Sequence, residues 1–257
     1  MYTITDVMFL RISLIFVLLL TGPLLAQVNT ESLRKHDLEN GFHNDFSFKF
    51  NYSNGNTEYQ KYNADYRLDY QFPNWNGFFV GKLNKGFKQT DTILNKGFFH
   101  FRLLRPISTK ISVEGFAQYN FDDFINMDKR YLFGSGIRYL LPFNADGYDF
   151  TAYLGLGIMH EYERLNSHFE TNYIRITNYL TVVWSFFDRY KYTSTSYIQP
   201  YINNMGDYRI FSDHTFSIKI NDWLSTFFEI NLRQDSLPPD NLKKHTFTFT
   251  NGLSFHF

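Results

Sequence analysis

The 257-residue chain has no cysteine. That excludes disulfide frameworks, thiolate metal sites and cysteine nucleophiles. An excess of cationic charge is missing too: 25 Lys and Arg balance 25 Asp and Glu. Recognition of nucleic acid through bulk electrostatics is thereby excluded. Long apolar runs form the third absence. Mean hydropathy is −0.34, and Ile12 to Leu20 is the one sustained apolar segment, too short for the roughly 18 residues of a spanning helix. There is no His-x-His or Glu-x-x-His spacing, phosphate loop or Gly-rich dinucleotide turn. No metal and no cofactor are expected on those grounds.

What the chain has in excess is aromatic side chains, 20% of residues, with 30 Phe and 19 Tyr. Such residues favour pleated, half-buried surfaces over helices. The last fifteen residues, KKHTFTFTNGLSFHF, show how they are used. Phe247, Phe249, Leu253, Phe255 and Phe257 fall on one parity, and Thr246, Thr248, Thr250, Gly252, Ser254 and His256 on the other. This is a period-2 strand with one apolar face. A terminal strand of this kind, ending on Phe, marks an outer-membrane β-barrel. Leu253, Phe255 and Phe257 are then the signal presented to the barrel-assembly machinery.

The amino end fits export. Arg11, the apolar Ile12–Leu20 and the small residue Ala26 read as a signal peptide over residues 1–26, cleaved before Gln27. Residues 27–39 are polar and aperiodic and read as a mobile periplasmic leader. From residue 40 to 257 the chain alternates almost without pause. Strands are expected at about 42–52, 61–72, 78–87, 96–105, 109–120, 130–141, 149–161, 172–185, 190–202, 207–220, 223–235 and 243–257. Weak alternation at 78–87, 172–185 and 190–202 leaves ten and fourteen open as counts beside twelve. Each span reaches the roughly 9–11 residues that a tilted transmembrane strand needs. The connections expected outside, such as 88–95, 121–129, 162–171 and 236–242, are longer than the turns at 72–76, 105–108 and 186–189. That is the asymmetry of an outer-membrane barrel. Aromatic residues near strand ends, Trp75, Trp184, Tyr190 and Trp223 among them, fit interfacial girdles. A soluble sandwich would use strands averaging 5–6 residues, about half of these. The fold class is therefore all-β, a closed antiparallel transmembrane barrel of twelve strands, with the final strand adjoining the first.

Parity directs many charges inward. Asp65, Arg67, Asp69, Arg102, Lys110, Glu114, Arg138, Glu161, Arg209, Glu229 and Arg233 are the candidate lining residues, and Lys49, Arg175, Lys219, Asp45, Asp213 and Asp235 share their inward parity. Mixed signs in a narrow bore could form a selectivity ladder for a hydrophilic solute, or an ion-paired lattice that fills and stiffens the interior. The lattice is favoured because neither sign is in excess. Gly134, Gly136, Gly155 and Gly157 also face inward; they either shape a constriction or let the sheet bend closely, and bending is preferred. Hydrolase chemistry is the alternative. A lipase-like site needs Ser, His and an orienting polar group together on the lipid face. Outward parity gives His160 and Asn178, but no serine beside them. A protease-like mouth could draw on Asp122-Asp123 and Asp213-His214, yet neighbours along a strand point to opposite faces.

Several segments resemble the salt-induced outer-membrane protein family, a domain of unknown function numbered 481. They are Val113 to Tyr119 with Asp122-Asp123-Phe124, Arg130 to Tyr139, Gly155 to Glu161, Asp207-Tyr208-Arg209, and Asp235 to Pro239 with Lys243-Lys244. Where that family usually carries Thr-Asp after the lysines, this chain has His245-Thr246. The resemblance implies an outer-membrane barrel and brings no catalytic role or substrate. The expectation is thus a monomeric protein of the Gram-negative outer membrane, in contact with lipid, the assembly machinery and small hydrophilic solutes. It would act without catalysis, as a structural envelope component or a small solute channel, with a hydrolase at the external mouth as the alternative.

Overall fold

The structure, a computed structural model, describes residues 33–34, 38–55, 58–89, 91–142, 149–238 and 243–255. The signal region and Phe257 lie outside them. The strands are β1 (Gly41–Ser53), β2 (Tyr59–Phe72), β3 (Trp75–Lys88) and β4 (Asp91–Pro106). Then come β5 (Ile111–Asp122), β6 (Met127–Leu140), β7 (Asp149–Leu165) and β8 (Glu170–Phe186). β9 (Tyr190–Tyr201), β10 (Asn204–Lys219), β11 (Leu224–Asp235) and β12 (His245–Phe255) complete the set. All twelve join one sheet in chain order, antiparallel throughout.

Period-2 patterning explains the register. β1 and β2 align Phe42 with Tyr70, Phe46 with Tyr66 and Phe50 with Tyr62 on one face, and Asp45 with Arg67 on the other. The rings meet at 5.3 Å for Phe42–Tyr70 and 5.0 Å for Phe50–Tyr62. Such cross-strand aromatic pairs each contribute about 0.5–1.5 kcal/mol beyond the area they bury. A one-residue slip would exchange the two faces, so the same alternation that forms each strand also fixes its pairing.

The sheet curls strongly. Arg102 of β4 reaches the Tyr197 hydroxyl of β9 at 3.3 Å, and Arg209 of β10 reaches Glu161 of β7 at 2.6 Å. Contacts between strands so far apart in the sheet require a concave face wrapped over itself. At the ends, β1 pairs with β2 and β12 with β11. Among the described residues no ladder joins β12 to β1.

Several boundaries differ from expectation. The external connection expected at 162–171 is only 166–169, because β7 continues to Leu165 and β8 begins at Glu170. The one expected at 88–95 shrinks to 89–90. Between β5 and β6 stands a short 3-10 turn, Asp123–Ile125, whose Phe124 N–H donates to the Asp122 carboxylate at 3.1 Å. Polar residues beyond the apolar stretch read as loop, yet their backbones stay in the ladder. Lys110 is a second correction: it sits exposed in the turn before β5 rather than in the strand. Ser108 Oγ accepts the N–H groups of Lys110 and Ile111 at 3.3 and 3.1 Å, a local turn that competes with the ladder.

Inward glycines make room for rings. A Cβ on Gly155 would lie 2.0 Å from the Tyr179 ring, and one on Gly134 would lie 2.4 Å from Phe116. The space beside these two glycines is therefore aromatic packing, close to the bending role favoured from the sequence and not an opening for solute.

Candidate functional site

The concave face of β4 to β11 carries a dense set of buried ion pairs. Glu161, 0% exposed, stands at its centre. Arg130 of β6 donates to it at 2.5 Å, Arg175 of β8 at 3.2 Å and Arg209 of β10 at 2.6 Å. Further carboxylates complete the charges. Arg209 also meets Asp235 at 2.7 Å, Arg175 meets Asp207 at 2.9 Å, and Glu163 lies 3.4 Å from Arg130 and 3.5 Å from Arg209. Three guanidiniums thus face four carboxylates. Desolvation of such ions costs several kcal/mol each and is offset only by close pairing of this kind.

A second group lies nearer the other end. Arg102 pairs with Glu114 at 3.3 Å and sits 5.1 Å from the Phe116 ring centre. The Arg138 guanidinium covers the Tyr153 ring at 3.7 Å. On β11, Arg233 pairs with Asp213. Asn231 donates to Asp213 and Glu229 at 3.1 and 2.9 Å. On β2, Arg67 chelates Asp69 through two donors at 2.6 and 2.5 Å. Asp65 is half-buried, opposite Ser47 and Lys82 in the ladders.

Two residues of the expected leader join this face. Arg67 donates to the Leu33 carbonyl at 2.6 Å, Leu33 packs on Phe78, Val80 and Phe98, and the Arg34 guanidinium lies 5.7 Å from the Phe78 ring centre. At the opposite, loop-bearing end a cavity of about 690 Å³ opens above Arg175, Arg209, Glu163 and Asp207, walled by Asn126 and Tyr173.

All the candidate lining residues except Lys110 stand on strands with the inward parity expected. The sequence reading omitted Arg130, Glu163 and Asp207, which complete the central cluster. Their parity matches their neighbours, but each lies at or beyond a strand end as drawn from the sequence. The hydrolase candidates separate. His160 meets Asn172 at 2.6 Å, whereas Asn178 is placed opposite Leu156 and Ile198. Asp213 turns inward to Arg233 while His214 turns outward to Ser212 at 2.8 Å.

An all-β protein of twelve antiparallel strands, apolar on the convex face and charged on the concave one, is the class this geometry defines. The family model described as a protein of unknown function, DUF481, matches residues 46–257, and the chain belongs to that family. Among solved structures it is similar to the KdgM porin, at 10% identity and a TM-score of 0.39, covering 84% of this chain and 96% of that one. It is also similar to a deltaS2 mutant of the TodX monoaromatic hydrocarbon channel, at 9% identity and a TM-score of 0.40, covering 84% and 78%. No curated protein matches.

Proposed function

We propose that the protein is an outer-membrane β-barrel, closed by pairing of β12 with β1, that conducts small hydrophilic solutes without catalysis in its interior. The convex face supports the location. Phe46 is 69% exposed and Phe247 62%, and such residues recur strand after strand. A continuous apolar belt of this extent is stable against lipid and not against water. In lipid every backbone donor and acceptor must pair within the protein, so the two free edges are the natural seam. Both carry their aromatic residues on the same convex side. Closure within one chain leaves no edge for a neighbour, which supports a monomer.

The observation that carries the channel reading is the uneven filling of the concave face. Between β5 and β10 it is occupied by paired ions. Along the seam, Ser47, Lys49, Asn51, Thr248 and Thr250 stay exposed. With the exposed Asp45 on the same face of β1 balancing Lys49, this polar strip has no excess of either sign, so the path it lines would pass neutral solutes and discriminate weakly between ions. Purified protein in planar bilayers tests this. Small steady conductance steps are expected, with a reversal potential near zero in a potassium chloride gradient, and Thr248→Trp should shrink the steps. Silent bilayers containing correctly inserted protein would leave the structural envelope role instead.

A further inference from the structure

Toward β2, β3 and β4 the concave face holds an apolar patch among charged residues. The ladders set Phe78 and Val80 of β3 beside Asp69 and Arg67 of β2, and beside Arg102 and His100 of β4. Both therefore point inward. Phe98 shares that face, opposite Lys82. All three are buried, and the chain's own amino-terminal segment lies on them. Leu33 packs on this cluster, and the Arg34 guanidinium lies 5.7 Å from the Phe78 ring centre. Arg67 is oriented to hold the backbone there. Asp69 accepts from its Nε and Nη2 at 2.6 and 2.5 Å, and Nη1 donates to the Leu33 carbonyl at 2.6 Å.

From this arrangement we infer that the interior beside β2, β3 and β4 is a docking site for the amino-terminal segment, a plug seated by Leu33 and Arg34 that withdraws to widen the solute path. The inference rests on the channel reading. Its seat is deep. Val80 and Phe98 stand near the middle of β3 and β4. Leu38, by contrast, lines a cavity of about 370 Å³ together with Ser108 and Lys110 of the turn between β4 and β5. Leu38 thus stands at the short-turn mouth, where β1 begins, and Leu33 at mid-depth.

Two kinds of filling then share the interior. Between β5 and β10 the paired ions are side chains of the strands themselves, so they stay as long as the sheet does. Leu33, Arg34 and Leu38 belong to no strand, and the segment can withdraw with every ladder intact. Arg67 keeps Asp69 when it leaves, so no buried charge is stranded. Withdrawal uncovers Phe78, Val80 and Phe98, and the cost of that apolar exposure favours the seated state at rest. Because β2 adjoins β1, the vacated space adds to the polar path along the seam.

The test uses the full chain in planar bilayers, with heat-modifiable electrophoretic mobility reporting folding separately. Two conductance levels are expected, the lower one with the segment seated. Leu33→Asp sets a carboxylate against the apolar patch and should raise the ratio of time in the upper level to time in the lower by about 10-fold or more. Glu39→Gln, exposed near the same mouth, should leave that ratio unchanged. Leu33→Cys with Val80→Cys, joined by a short bis-maleimide, should hold the lower level alone. In the folded protein a maleimide should label Leu33→Cys about 10-fold or more slowly than Glu39→Cys. A single level that neither Leu33→Asp nor the crosslink alters overturns the inference and leaves the channel standing, as does equal labelling of the two cysteines. Should Leu33→Asp fail to fold, the crosslinked pair compared with the same pair unlinked decides. Silence in every folded variant would overturn the channel reading, and the plug with it.

Discussion

Arg102 of β4 donates from Nη2 to the Tyr197 hydroxyl of β9 at 3.3 Å, although the two residues are 95 apart in sequence. The contact crosses the concave side between strands that share no ladder. It belongs to a set of such crossings, with Arg209 to Glu161 the shortest of those linking β7 and β10. These crossings hold the sheet in its curl as the hydrogen-bond ladders hold each strand to the next.

Replacing Glu161 by Gln leaves Arg130, Arg175 and Arg209 around a neutral amide in a buried site. Removing one partner of a buried ion pair costs about 3–5 kcal/mol. Urea unfolding of the protein in vesicles should show that loss, and a change below about 1 kcal/mol would mean that water reaches the cluster.

Charge on the convex face should block insertion. Phe249→Arg and Leu253→Arg each put a guanidinium toward lipid, at about 2–4 kcal/mol near mid-bilayer. Thr248→Arg and Thr250→Arg point the same group to the concave side and should insert far better. Equal damage from both pairs in an assisted insertion assay would reverse the assigned faces.

Gly155→Ala places a methyl group into the Tyr179 ring, since a Cβ there would stand 2.0 Å from it. Overpacking of this kind costs about 1–3 kcal/mol. Tyr179→Leu in the same chain should recover most of the loss, read as the urea midpoint of the double variant against each single one.

The seam can be trapped because the chain has no cysteine of its own. With Lys49→Cys on β1, cysteines placed in turn at Thr246, Thr248 and Thr250 of β12 sample the register of closure. A disulfide needs Cα atoms within about 7 Å. One of the three pairs should oxidise within a single chain and shift its unreduced mobility, whereas three unreacted pairs would mean that the sheet stays open.

The strands were legible because period-2 alternation is a local property. Phe46, Phe48 and Phe50 announce a face wherever the strand finally lies, and inward parity followed from such runs, while the weak alternation at 78–87, 172–185 and 190–202 left the strand count open. The ends were not legible. Glu163 and Arg164 look like loop residues, yet they remain paired with β6 and β8, because a ladder continues on backbone bonds after its apolar side chains stop. The central cluster was half visible for the same reason: Glu161 and Arg209 fell within the drawn strands, while Arg130, Glu163 and Asp207 fell at their margins.

The sequence by itself determined the alternation, and with it two chemically opposite faces and the sign of every inward charge, while the structure decided among ten, twelve and fourteen strands. Only the tertiary structure decided which charges meet. The degree of curl brings Arg130 of β6, Arg175 of β8 and Arg209 of β10 around Glu161 and fills the space beside Gly155 with the Tyr179 ring. Alternation acts between neighbours along one chain segment. Partner choice depends on curvature and register summed over the whole sheet, and no short window of sequence contains that sum.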